Sequence, residues 1–368
     1  MAYDETILVT GYPTFRGRKM VDQLLVSQPS SLIYVIVREK FAEEARLHHE
    51  ALSTAARQRL VMVEGDAAAM DLGLSGKEYR ELCSKVQRIH HCAQVTYQGV
   101  GRQMADEVNL GAMREIVEFA RCCTQLESVV VHSSAIVSGD RTGVVYEHEL
   151  NAGQSFRGAV EKTLARAERI ARAAMADLPI CVIRPTQIVG DSTTGEVDRL
   201  DGPYMMMLLL LSSPSEVAIP LPTRGDTPLN LVPIDFVVRA AAHLGRQRAA
   251  IGRTFHLADP APLSVRQVFE LVARAGGKRL ASRFIPGGVS KAVLRVPGLN
   301  LISKNQRAMV DLLATDVRYD TTHTDELLRG SGIHCPSLDS YIEELVTYVQ
   351  RRLKEDRLRG DAPEVSLR

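Results

Sequence analysis

An α/β fold, a doubly wound parallel sheet with a smaller second lobe behind it, is what the sequence predicts, on three observations. Short apolar runs alternate with longer amphipathic segments up to about residue 190, which is the pattern of βαβ units. The apolar runs are hydrophobic almost throughout, as strands covered on both faces are. After Gly190 the texture changes to loops rich in Pro, Gly and Asp, as in residues 190–204 (GDSTTGEVDRLDGPY) and 220–233 (PLPTRGDTPLNLVP).

Taken in order, the predicted strands are Thr6–Thr10, Leu32–Val37, Arg59–Val63, Val86–His90, Ser128–Val131 and Ile180–Ile183. Helices are expected between them at Lys19–Val26, Glu39–Arg57, Asn109–Cys123 and Phe156–Met175. The first domain is therefore placed at 1–190 and the smaller lobe at 191–350. Within that lobe Pro233–Leu244 has helical periodicity with proline in its first turn, and is expected to return to the first domain. Met205–Leu211 (MMMLLLL) reads as a buried helix of the lobe, with an adaptable apolar pocket as the alternative. Residues 351–368, charged and poor in apolar side chains, are expected to be a frayed tail.

Composition excludes several classes. With 45 basic and 44 acidic side chains, the net charge of +1 argues against general nucleic-acid binding. The longest apolar run, Tyr204–Leu211, falls far short of the roughly 20 residues needed to span a membrane. The start of the chain lacks the basic and apolar regions of a signal peptide, so a cytoplasmic location is expected. Six cysteines form no CxxC pair and are expected to be buried, reduced thiols. No metal site is expected, since His48-His49 and His90-His91 lack further ligands at metal spacing.

The first strand runs into Gly11-Tyr12-Pro13-Thr14-Phe15-Arg16-Gly17 and then a helix. Such a turn delivers a helix N-terminus to the carboxyl edge of the sheet, where phosphate binds. Arg16 and Arg18 add positive charge nearby. Arg38, at the tip of the second strand, favours a ribose 2′-phosphate, although Glu39 follows it directly. If a dinucleotide binds, NADP(H) is therefore expected over NAD(H), with weakened or lost binding as the alternative.

Gly65-Asp66, His90-His91-Cys92-Ala93, Val108-Asn109-Leu110-Gly111, Ser133-Ser134-Ala135 with Gly139, Arg184-Pro185 with Gly190-Asp191-Ser192, and Val232-Pro233-Ile234-Asp235 follow the glycine turn in order. Together they resemble the extended short-chain dehydrogenase/reductase superfamily, especially its thioester-reductase and fatty acyl-CoA-reductase-like branch, over roughly residues 5–350. The resemblance implies a Rossmann-type sheet with a C-terminal substrate-binding lobe. It also implies a cofactor cleft formed by Gly11, Thr14, Phe15, Arg16, Gly17, Arg38, Asp66 and Ala93, with Asn109 as a structural helix-opening residue. Thr14 stands where the family's GxxGxxG turn has its middle glycine.

Catalysis in that superfamily uses a serine and a YxxxK pair that a helix places on one face. The tyrosine gives or takes a proton, and the lysine lowers its pKa and holds the nicotinamide ribose. Ser134 matches the serine, but none of the ten tyrosines has a lysine four residues later. Aligned on its flanks, the helix carries Val160 at the tyrosine position and Leu164 at the lysine position. Lys162 cannot substitute, because two residues are about 200° of helix rotation.

The expectation is a non-catalytic or atypical relative, a pseudoenzyme that binds a dinucleotide, an apolar small molecule, a second copy of itself or an active relative. The alternative is an active NADP-dependent oxidoreductase of an acyl thioester, aldehyde or sterol-like substrate, using substitute acids such as Tyr146 or His148.

Overall fold

The computed structural model describes residues 3–97, 100–200, 202–212, 216–217, 225–280 and 315–359. Seven parallel strands make the main sheet: β1 Glu5–Thr10, β2 Ser31–Val37, β3 Leu60–Glu64, β4 Arg88–His91, β5 Ser128–His132, β6 Ile180–Pro185 and β7 Thr254–Leu257. Their order across the sheet is β7-β6-β5-β4-β1-β2-β3. The direction of winding therefore reverses between β1 and β4, and a crevice opens above their carboxyl ends.

The principal helices are α1 Phe15–Ser27, α2 Ala42–Ala51, α3 Gly76–Lys85, α4 Ala112–Cys122, α5 Ala159–Ala174, α6 Pro203–Ser212, α7 Ile234–Leu244, α8 Val265–Ala275, α9 Thr322–Leu328 and α10 Ile342–Arg359. Because strand side chains alternate, Ile7, Val9, Ile33 and Val130 pack on one face against Met20 and Leu24 of α1 and Val237 and Ala241 of α7. Leu8, Ile89, Val129 and Val182 pack on the other, against Ile116 and Phe119 of α4 and Ala167 and Ala171 of α5. A separate core gathers Tyr204, Met207 and Leu210 of α6, Val268 and Phe269 of α8, and Leu345 and Val349 of α10.

Helix α7 packs on α1 and against the main sheet. Three expectations need correction. Residues 351–359 are not a frayed tail but the continuation of α10, anchored through Leu345, Val349 and Leu353 at four-residue spacing, with Arg351, Lys354 and Glu355 exposed. Residues 360–368 lie outside the described ones. The helix expected over Glu39–Arg57 is interrupted at Leu52, where the backbone becomes extended, and Ser53 caps a new turn by accepting from Ala56 N at 3.3 Å. Cys83, Cys92 and Cys181 are buried, but Cys122 is exposed and Cys123 and Cys335 are partly so. Among the described residues no helix is long and apolar enough to cross a membrane.

Candidate functional site

The glycine turn sits at the point where the winding reverses. Gly11 has φ +82°, and a Cβ there would stand 2.6 Å from the Cys92 carbonyl carbon and 2.7 Å from Ala93 N. At Gly17 an added Cβ would meet the Gly11 oxygen at 2.6 Å. Glycine at both positions lets the turn close on itself and press against the end of β4. Thr14 caps α1: its Oγ1 accepts from Gly17 N at 3.3 Å and donates to the Gly11 carbonyl at 2.6 Å. Its φ of −52° suits any residue, and it is exposed, so losing the family's glycine here brings no backbone strain. The Phe15 and Arg16 amides belong to the first turn of α1, where a helix cannot use its own N–H groups.

Beyond β2 and β3, Arg38 Nε lies 3.0 Å from Asp66 Oδ2, both side chains partly exposed. Asp66 is held in turn, its Oδ1 accepting from Ala68 N at 3.0 Å and its own N–H donating to the Leu72 carbonyl at 2.8 Å. The loop closes through Asp71 and Leu72, consecutive non-glycine residues at φ 52° and 59°, a strained conformation that fixes this rim of the crevice. Ala93, buried, donates its N–H to Thr10 Oγ1 at 3.4 Å. Arg18 does not join the turn: it pairs with Glu44 of α2 at 2.7 Å. Lys19 ties α1 to the following lobe through Asp191 at 3.3 Å and Glu196 at 2.7 Å.

Arg16 turns inward, where its charge acts on Cys92 and His132. Its Nη1 is buried with no hydrogen-bond partner among the described residues, and the same holds for Nδ1 of His132. His132 Nε2 lies 3.5 Å from His90 Nδ1, and His91 Nδ1 lies 2.9 Å from Thr10 Oγ1. Burial holds all three imidazoles neutral, pushing His90 down to about 3, His91 to about 4 and His132 well below its ordinary value.

Ser134 is buried at the end of β5, where its Oγ accepts from Ile136 N at 3.4 Å and caps a short turn. Val160 and Leu164 are 2% and 3% exposed and pack with Val137, Leu150 and Ala165. One turn beyond Leu164, Glu168 forms a buried fork with Arg184: Arg184 Nε donates to both carboxylate oxygens at 3.0 Å, and Ser133 Oγ donates to Oε2 at 2.6 Å. Asn109, buried in the π-helical turn before α4, bonds the Val95 N–H and carbonyl at 2.8 and 3.1 Å and Thr163 Oγ1 at 2.9 Å. The helix is thus anchored from two sides in the orientation that turns Val160 and Leu164 inward.

The substitute acids lie elsewhere. Tyr146 is 47% exposed and stacks on His148, which lines a surface cavity of about 460 Å³ with Arg169, Arg172 and Ala173. Arg169 is nine residues from Val160, so the cavity lies roughly 180° around α5 from the Val160 face. Glu168 and the inward course of Arg16 were not singled out from sequence, and Arg184 was named only within the Arg184-Pro185 segment, with no role. An acid continuing the apolar stripe of Val160, Leu164 and Ala167 was the available signal for Glu168. Among the described residues no group of three His, Cys, Asp or Glu side chains is placed to hold a metal.

A dinucleotide crossing such a crevice lays its adenosine half over β2 and β3 and its nicotinamide half over β4 and β5. The residues present fit the first half: a capped helix N-terminus, the Arg38–Asp66 pair and the close glycine turn. Toward the second half, Val160 and Leu164 lie in an apolar cluster with Val137 and Leu150.

Residues 9–241 match the NAD-binding family described as "Male sterility protein". The terminal R domain of the myxalamid PKS-NRPS biosynthetic pathway superposes with a TM-score of 0.79 at 24% identity, over 95% of this chain and 91% of that one. One of the linear gramicidin synthase proteins of Brevibacillus parabrevis is 23% identical over 92% of this chain but only 7% of its own length. Fatty acyl-CoA reductase wat of Drosophila melanogaster is 22% identical over 64% of this chain and 53% of its own. The chain thus spans a small part of one curated relative and about half of the other, and the family is NAD(P)-dependent and reductase-like. The protein belongs to the extended short-chain dehydrogenase/reductase superfamily, in the thioester-reductase branch to which this "Male sterility protein" family corresponds.

Proposed function

We propose that this protein is a nucleotide-binding member of the reductase family that does not carry out proton-coupled hydride transfer. The observation that carries this reading is the burial of Val160 and Leu164 with Val137 and Leu150. General acid catalysis contributes about 10² to 10⁴ in rate, and the tyrosine position here holds an aliphatic side chain enclosed by others. Ser134 is engaged in a local cap, and Tyr146 and His148 lie against the far side of α5.

In this reading the cleft binds through its adenosine half, with preference for a 2′-phosphate: Arg38 follows β2 and is partly exposed, its Nε 3.0 Å from Asp66, which puts a guanidinium where the ribose of a dinucleotide is expected. Output then passes through a bound apolar molecule, a second copy or a catalytically active domain. The relative from Brevibacillus parabrevis, a synthase protein far longer than this chain, favours an active neighbouring domain. Titration of NADPH into the purified chain, followed by its fluorescence, should saturate and raise the melting temperature. No saturable change with any adenine nucleotide would refute a nucleotide cleft.

A further inference from the structure

Arg16 and His132 present two buried polar atoms with no partner among the described residues, Nη1 of the one and Nδ1 of the other. No described carboxylate pairs with Arg16; the one charge effect on it comes from Cys92. Burial pushes the Cys92 thiol up to about 12, so it is uncharged at neutral pH, and His132 is neutral for the same reason. The Arg16 side chain is half-buried, with Nη1 enclosed and unpartnered, so an anion reaching that side of the guanidinium would supply the charge-assisted bond that no described residue makes.

The topology says where that anion lies. Cys92 follows β4 and His132 ends β5, on one side of the reversal point, whereas Arg38 follows β2 and Asp66 follows β3, on the other. We propose that the β4–β5 half of the cleft receives a phosphate on Arg16 and His132 in place of a nicotinamide ring, so that the ligand is an adenine nucleotide ending in a phosphate. This rests on the nucleotide-cleft reading above and narrows it. Arg16 supplies a charge-assisted donor, His132 Nδ1 a second donor in its Nδ1–H tautomer, and the first-turn amides of α1 lie next to both. An oxidised nicotinamide brings a positive ring toward the same guanidinium and is repelled, while the 2′-phosphate preference of Arg38 on the other half is unaffected.

Isothermal titration of the full chain with ADP, NAD⁺ and inorganic phosphate tests the assignment, in the wild type and in Arg16→Leu; neither adenine nucleotide carries a 2′-phosphate, so Arg38 does not enter the comparison. ADP should bind at least about tenfold more tightly than NAD⁺ to the wild type, and Arg16→Leu should remove or reverse that order. The leucine variant should also gain less in melting temperature on addition of ADP than the wild type does, because the charge-assisted contact to the phosphate is gone. Wild type binding NAD⁺ as tightly as ADP, or an unchanged ratio in Arg16→Leu, overturns the proposal while leaving a nucleotide cleft in place. Inorganic phosphate binding as tightly as ADP overturns the nucleotide assignment. Absence of binding by every adenine nucleotide overturns both this proposal and the reading beneath it.

Discussion

The two halves of the crevice have diverged to different degrees. On the reading proposed above, the half beginning at the glycine turn and β2 keeps what a nucleotide needs: Gly11 and Gly17 close the turn, Thr14 caps α1, and Arg38 lies against Asp66. On the same reading the half over β4, β5 and α5 has exchanged chemistry for packing, with Val160 and Leu164 joining Val137 and Leu150. The difference teaches that scaffold and chemistry are separable on this fold. Glu168, Arg184 and Asn109 still orient α5, although the face they orient no longer bears an acid.

The largest break in that comparison comes from putting charge back. In Leu164→Lys combined with Val160→Tyr, an ammonium and a phenol enter a filled apolar cluster. The double variant should lose about 3 kcal/mol or more of stability in urea unfolding rather than regain activity. A folded, active double variant would show that the cluster is a loose cover over an intact site.

Comparable in size is the anchor behind it. Glu168→Gln leaves Arg184, 1% exposed, without its counter-charge and should cost about 3–5 kcal/mol. Loss below about 1 kcal/mol would mean that α5 is oriented by packing alone.

The acid limb of stability sharpens the contrast between the halves, since His90, His91 and His132 all belong to β4 and β5. Burial depresses His90 and His256 to about 3 and His91 to about 4, and His132 moves the same way. The unfolded chain therefore binds protons first as pH falls. Stability should be fully present above about pH 6.5 and decline toward pH 4, with up to four protons taken up on unfolding. Denaturant melts across that range measure the uptake; a flat profile would contradict neutral, buried imidazoles.

Smallest is the effect on the intact half. Arg38→Ala should weaken NADPH by about tenfold while leaving NADH within about twofold, removing the preference between them. Equal affinities in the wild type would remove the role given to Arg38.

Much of this molecule was legible in its sequence because its strands are covered on both faces and so read as unbroken apolar runs. Six of the seven main-sheet strands were located from that pattern. β7 (TFHL) was not, because four residues with a central histidine look like loop until the backbone is seen beside β6. The absence of a YxxxK pair is legible from spacing alone, while placing its two positions at Val160 and Leu164 rests on the flanks of the helix. What remained hidden was direction. Nothing in the string tells that Arg16 buries one guanidinium nitrogen while Arg18 pairs with Glu44, or that His148 lies on the far side of α5, because each depends on how one helix is rotated against its neighbours.

Turnover tests the central claim most directly: consumption of NADPH by the purified chain, followed by absorbance, with an aldehyde and an acyl thioester supplied at saturation. The expected result is a rate indistinguishable from protein-free buffer, with Tyr146→Phe and His148→Ala no different from wild type. NADPH oxidation matched by an equal amount of alcohol or aldehyde product, and lost in either variant, would contradict it and restore a substitute acid to this site.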